Sequence, residues 1–454
     1  MFGMMMSVQR TRFLSILLLV CGCATAEKHH QSALLEFDSG RPENAIAAFH
    51  EAMESRRAEH EILTIDSAIA SMMAGQFADA EKALTTARAE IDHLRQKDFR
   101  EQATSVLTDD KAIAWSGREY EQRMIDNLLV ISSLMGDRQD AYAFASQAAE
   151  HVNADREELR TDLSSGPIRT AGHVQEIAPP IAPPRMRANA LSAYLLAAVT
   201  SESPMNADTT TAALSDLSFW HTDGTSVLQS GFGVDTKPGH GVIHVVTFAG
   251  RVTDWIPEAV VPTSAALLLA DQILSSNSAH ELPPTVAPVR IAKPARSESL
   301  DQHVTTARIE GGQTLVGSTM IDLNRVAEAA YQHDRNKQIA RAVVRRVVKK
   351  GAVYATKDQL SVAGDSGADV LLTLGGIAWE ALEKPDARHI RLLPERIEVI
   401  QIPLPAGEHK IILGTKQCPQ MSASATVQVQ NGRNTFVLCF RPRDEIVRVV
   451  TQQR

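Results

Sequence analysis

The sequence predicts an α+β protein: helical repeats first, then a mixed α/β domain, then an antiparallel β-module. Three observations carry that reading. Between His29 and Val152 the chain is rich in Ala, and three Gly-containing segments match one another. Gly241 to Gly250, GVIHVVTFAG, is a nearly unbroken apolar run bounded by glycines, the pattern of a buried strand. After Arg396, short runs alternate apolar and polar residues, and Asn431-Gly432 sits between the last two. The expected divisions are a leader (1–22), a tether (23–28), a helical domain (29–200), a mixed domain (201–394) and a β-module packed on it (395–454).

Charge and length define the leader. Arg10 and Arg12 precede an apolar stretch, Phe13–Val20, that suits a signal peptide and is too short to cross a bilayer as a helix. Small residues follow, and Val20-Cys21-Gly22-Cys23 resembles the lipobox of bacterial lipoproteins. That resemblance implies cleavage after Gly22 and a mature chain starting at Cys23, which carries a thioether-linked diacylglycerol and an N-acyl chain. Burial in lipid is worth ~0.8 kcal/mol per methylene, so one chain binds marginally and several make a lasting anchor. Ala24 and Thr25 follow with no Asp, which in proteobacterial lipoproteins favours the outer membrane, facing the periplasm. An ordinary secretory leader with incidental cysteines is the plainer alternative.

The helical domain follows from its repeats. Ser39–Phe49 (SGRPENAIAAF) aligns with Ala74–Leu84 (AGQFADAEKAL) at an offset of 35, and a third copy, MGDRQDAYAFA, starts at Met135. Each places a Gly (Gly40, Gly75, Gly136) at a helix end and an Ala (Ala45, Ala80, Ala141) in the next helix. Gly supplies a left-handed turn, and Ala lets two helices approach closely. The pattern resembles the tetratricopeptide (TPR) repeat, a helix pair with a period of about 34 residues, although no copy carries the full consensus. The resemblance implies a TPR-like stack with an exposed concave face that holds a peptide or a partner helix. A generic α-bundle is the plainer alternative.

Residues 157–184 break the pattern with proline pairs, as an extended connection does. RMRANALSAYLLAAVTS returns to helix, with Ala190, Leu191, Tyr194, Leu195 and Ala198 on one face. APVRIAKPA reads as an edge or connecting strand, because proline cannot donate to a ladder. Residues 321–350 read as a helix pair and Leu371–Leu382 as a further helix. The tail strands are expected to share one apolar face, built from Ile397, Val399, Ile411, Leu413, Val427, Val429, Phe436 and Leu438, under those helices. Cys418 and Cys439 either pair in an oxidising compartment or stand as two buried thiols.

Three stretches together resemble a largely uncharacterised family of bacterial tetratricopeptide-type lipoproteins. They are Leu107–Asp137, which contains Tyr120-Glu121-Gln122-Arg123; Ile339–Lys350 (IARAVVRRVVKK); and Pro385–Leu413 (PDARHIRLLPERIEVIQIPLPAGEHKIIL). Their order and spacing match across most of the chain after the leader. Only part of the family's Tyr-Glu-Arg triad stays in register, and the Trp that follows its Asp-Thr-Arg is absent from DARHIR. The resemblance implies a lipid anchor and this architecture, and no established activity.

A net charge of −8 speaks against nucleic acid as a partner. After the leader there is no HExxH, CxxC, GxSxG or Walker-type loop, so the sequence names no catalytic residue, cofactor or metal ligand. His240 and His244 lack a third ligand. GFGVDTKPGHG lacks the GK(S/T) ending of a phosphate loop. Positive charge is densest around Arg341, Arg345, Arg346 and Lys349. A solvated helix face is the plain reading of it. The sharper one is a face for an anionic partner, such as phospholipid headgroups or an acidic cell-wall polymer. The sequence thus points to a cell-envelope scaffold, held to the membrane through lipidated Cys23, whose repeats hold another envelope protein. One alternative is an enzyme acting on cell-wall polymer through carboxylates such as Asp254, Glu258 or Asp386. Another is a regulator of polymer synthesis that touches its partner through the β-module.

Overall fold

The computed structural model describes residues 28–55, 59–101, 115–164, 182–221, 237–277, 287–296, 303–359, 385–417 and 422–453. The expected leader, Cys23, Cys418 and the 371–382 helix lie outside them.

Eight helices form consecutive antiparallel pairs: α1 (28–38), α2 (Pro42–Ser55), α3 (His60–Ala74), α4 (Phe77–Glu101), α5 (Glu119–Met135), α6 (Ala141–Ser164), α7 (Asn189–Thr200) and α8 (Ala207–Trp220). The three matched segments are the α1–α2, α3–α4 and α5–α6 turns. Gly40 and Gly75 take left-handed backbone (φ 72° and 80°). The third turn differs. Gly136 has φ −88°, and Arg138 is the left-handed residue (φ 65°), held by Glu202 and the Asn434 carbonyl. Glycine is still needed at 136, where a Cβ would press on Ser132 O and Phe77. Ala45, Ala80 and Ala141 are all buried, as small residues at a helix–helix contact should be. A fourth pair, α7–α8, turns through the 3₁₀ segment Pro204–Asn206 without a glycine, so the repeat pattern does not announce it.

The strands form two stacked sheets and a ribbon. The first sheet has the order β11-β10-β1-β7-β6: β1 is His240–Ala249, β6 Ser318–Asp322, β7 Arg396–Pro405, β10 Asn434–Arg441 and β11 Arg448–Thr451. β1 runs parallel to β10 and antiparallel to β7. The second sheet is β5-β4-β8-β9: β4 Thr305–Ile309, β5 Thr314–Val316, β8 Gly407–Thr415 and β9 Ala423–Val429. β2 (Trp255–Val260) and β3 (Val289–Pro294) pair alone, the edge setting expected of a proline-bearing strand. α9 (Ser264–Asn277) and β3 pack on α10 (Leu323–Gln359).

Alternation along the strands builds two cores. Val246, Phe248, Ile397, Val399, Phe436 and Leu438 face the inner helices α3, α5 and α7 in one continuous core. Ile243, Val245, Ile400, Ile402 and Val437 face the second sheet, against Ile411, Leu413, Val427 and Val429. The layers are therefore outer helices, inner helices, sheet and sheet. The single apolar face expected of the tail splits between the two cores, because the turn after Pro405 carries the chain from the first sheet to the second and Asn431-Gly432 carries it back. The Asn-Gly turn thus joins two sheets rather than two paired strands. Residues 323–359 are one helix, not a pair, and the inner helices rather than α10 cover the tail strands. Cys439 is a buried thiol in the second core, hydrogen-bonded to Thr247; Cys418, the other half of the expected pair, lies outside the described residues.

A polar chain crosses the helix–sheet interface. Gln401 Nε2 donates to Tyr194 Oη, Tyr194 O–H to His244 Nδ1, His244 Nε2–H to Asn434 Oδ1, and Asn434 Nδ2 to Ala198 O and Ser201 Oγ. Burial brings the His244 imidazole down to about pKa 4. At the far edge of this sheet, the segment through β11 runs across the helix turns. Val447 lies on Gly40, Val450 on Gly75, and Gln453 hydrogen-bonds Met135 O and Gly75 O.

Two outcomes follow. A Cβ at Gly241 would overlap the Gln430 carbonyl oxygen, where both sheet-crossing turns close on β1. Gly241→Ala is expected to cost more than ~2 kcal/mol, read from the urea midpoint. His244 is neutral when folded, so the unfolded chain binds the extra proton between its ordinary value of ~6.5 and about pH 4. Its contribution is full above that window and lost as pH falls through it, by at most about 3 kcal/mol. The pH dependence of stability should flatten across this range in His244→Gln.

Candidate functional site

The first and third family-like stretches meet. The chain from Pro385 to Glu395 belongs to no helix or strand and turns at 391–393, so its buried amides need other acceptors. Two carboxylates from the inner helices supply them. Glu121 on α5 accepts the Ile390 N–H (3.1 Å) through Oε1 and the Arg118 N–H (2.7 Å) through Oε2. Asp66 on α3 accepts the Leu392 N–H at 2.8 Å. Both are fully buried. Arg118 lies 3.6 Å from the centre of the Trp255 ring and donates to the Arg388 carbonyl, while Trp255 Nε1–H donates to Tyr120. Arg123 forks onto Asp155. Tyr120, Glu121 and Arg123 are thus fastenings between layers rather than catalysts.

The carboxylates proposed from sequence for chemistry are each tied to a different partner. Asp254 lies 3.3 Å from His389 Nε2, and Glu258 is bound by Lys293 (2.7 Å) and Tyr331 (2.9 Å); these contacts hold both carboxyls below their ordinary range. Asp386 is forked by Arg388. An acid catalyst needs the opposite shift, upward. Burial does raise Glu81, Glu119 and Asp216, but none of them lines the cleft described below.

The basic face divides. Arg341 is exposed. Arg345 is buried, and Arg346 donates to the carbonyls of Ala287 and Pro288. Lys349 falls beyond the described side chains. Since Arg345 turns inward, the arginines form no single solvated row. His244 is committed to the core, and among the described residues no group of three His, Cys, Asp or Glu could hold a metal ion. No described helix is long and apolar enough to cross a membrane.

Beside the Pro385–Glu395 segment lies an open groove of about 940 Å³. Its floor is β6, the edge strand of the first sheet. Its walls are the end of α8 (Trp220, His221), Pro184 and Arg187, the ribbon end (Pro294 to Arg296) and the first turns of α10 (Asn324 to Ala329). Trp220 Nε1, His221 Nδ1 and Asn324 Nδ2 are buried in these walls and have no hydrogen-bond partner among the described residues. The other ring nitrogen of His221 donates to the Thr319 carbonyl of β6 at 2.9 Å, and Asn324 Oδ1 accepts the Thr253 N–H. Sequence reasoning missed this groove. Trp220 and His221 end an unrecognised helix, and Asn324 looks like any residue of a helix start.

No family model, curated protein or solved structure matches the chain.

Removing the Glu121 carboxylate takes the acceptor from two amides and one partner from the Arg118 guanidinium, which keeps the Arg388 carbonyl. Glu121→Ala should cost about 3–5 kcal/mol and Glu121→Gln, which keeps an acceptor, clearly less, both read by chemical denaturation.

Proposed function

We propose that the protein is a lipid-anchored scaffold of the cell envelope, held at Cys23 in the outer membrane, facing the periplasm, and binding a partner protein without chemistry. We read its helix pairs as tetratricopeptide-like repeats. The observation that carries the binding role is the groove along β6, which is open and lined by buried polar groups without partners among the described residues. Support for binding over cell-wall enzymology is the separate neutralisation of Asp254, Glu258 and Asp386. The inner face of the repeats, where a partner is first looked for, packs on the protein's own sheet. Partner contact therefore moves to the groove.

Two measurements test this in native cells. Cys23→Ala should release the protein from the membrane fraction and abolish fatty-acid labelling; labelling lost instead in Cys21→Ala would relocate the anchor. A photo-crosslinking residue at Arg325, in the groove, should give protein adducts, and one at Asp92, on an outer helix, should give none. Equal adducts at both positions would sink the groove as the contact.

A further inference from the structure

The geometry points to strand addition: the groove takes an extended peptide segment of a partner, bearing an acidic side chain, as a new strand on the edge of β6 that no described strand pairs with. This rests on the scaffold reading and names the class of partner. The sheet has two edges. The β11 edge is covered, since the chain there lies on the turns at Gly40 and Gly75 and its last residues bond to Met135 and Gly75. The β6 edge instead lines the groove along its whole length, Ser318 to Asp322. An edge strand presents main-chain donors and acceptors that another strand can pair with. One of them is already met from the side: the Thr319 carbonyl takes the His221 Nε2–H, a side chain doing there what a neighbouring strand's amide would do.

Two further observations favour a peptide. The buried Trp220 Nε1–H and Asn324 Nδ2 donors, and the His221 Nδ1 ring nitrogen opposite the one that meets Thr319, have no partner among the described residues, and a peptide backbone or side-chain amide offers both donors and acceptors. The charge leans towards acid by one: four arginines line the groove against three carboxylates, and Arg296 stands exposed at it, while Arg325 pairs with Asp322 and Arg396 with Glu398. A bulge between Thr319 and Ile321 and the charge of Asp322 keep so short an edge from pairing indiscriminately, which leaves recognition to the walls.

The test selects peptides from a displayed random octapeptide library on the purified protein. Enriched peptides should carry Asp or Glu. Methylating alternate backbone nitrogens of such a peptide should weaken it at least tenfold, and methylating the intervening ones should not. Arg296→Glu should weaken acidic peptides about tenfold. In hydrogen exchange, amides of residues 318–322 should exchange readily in the free protein and slow at least tenfold with peptide bound. The proposal is overturned by no enrichment, by binding indifferent to methylation at every nitrogen, or by amides already slow in the free protein, which would mean the chain's own residues occupy the edge. Crosslinks from Arg325 in cells combined with any of these outcomes would leave the scaffold standing and remove strand addition alone.

Discussion

A sheet that is apolar on both faces cannot stand with either face in water, and this constraint shapes the molecule. β1 sets it. Val246 and Phe248 point one way, Ile243 and Val245 the other, and the strand sits in the middle of its sheet. One face requires the inner helices and the other requires the second sheet. The helices need the sheet in turn, because α3, α5 and α7 are buried nearly all round and the outer helices cover only one side of them. Helices and sheet thus share one buried cluster, with packing that runs across residue 200.

Covering both faces leaves polar backbone where one layer hands over to the next, and buried carboxylates meet it repeatedly. Asp66 takes the Leu392 amide, Glu121 that of Ile390, Glu202 that of Asn434 and Glu398 that of Thr305. Each carboxylate also has a cationic or imidazole neighbour: His30, Arg118, Arg138 and Arg441 respectively. An amide accepted by a paired carboxylate costs far less than one buried bare. This explains why the residues that look most like catalytic acids, fully buried beside arginine, are fastenings.

Local rules were legible in the sequence, and long-range pairings were not. The glycine turns, the buried alanines and the central strand all follow from spacing and residue type, because left-handed backbone, close helix contact and two-sided burial each restrict the residues allowed. The α7–α8 pair was missed because a proline turn does the work of a glycine there. The tail was read as one module because alternation reports that a face is buried, not what buries it; Ile397 and Ile411 look alike in sequence and lie in different cores. The groove was invisible for a related reason. It is made by an edge left open, and openness is a property of what fails to pair.

The segment through β11 touches the helix turns through Val447, Val450 and Gln453, a stride of three residues. Three residues of strand span ~10 Å, close to the 8–10 Å between packed helices. The match locks the pitch of the array. An open solenoid has only nearest-neighbour coupling, so its end units fray independently and it can stretch like a spring. Here one strand is coupled to three successive helix pairs at once and to the central sheet through β10. The turns are thereby tied to one another through the sheet, which denies the end units the independent fraying of an open solenoid.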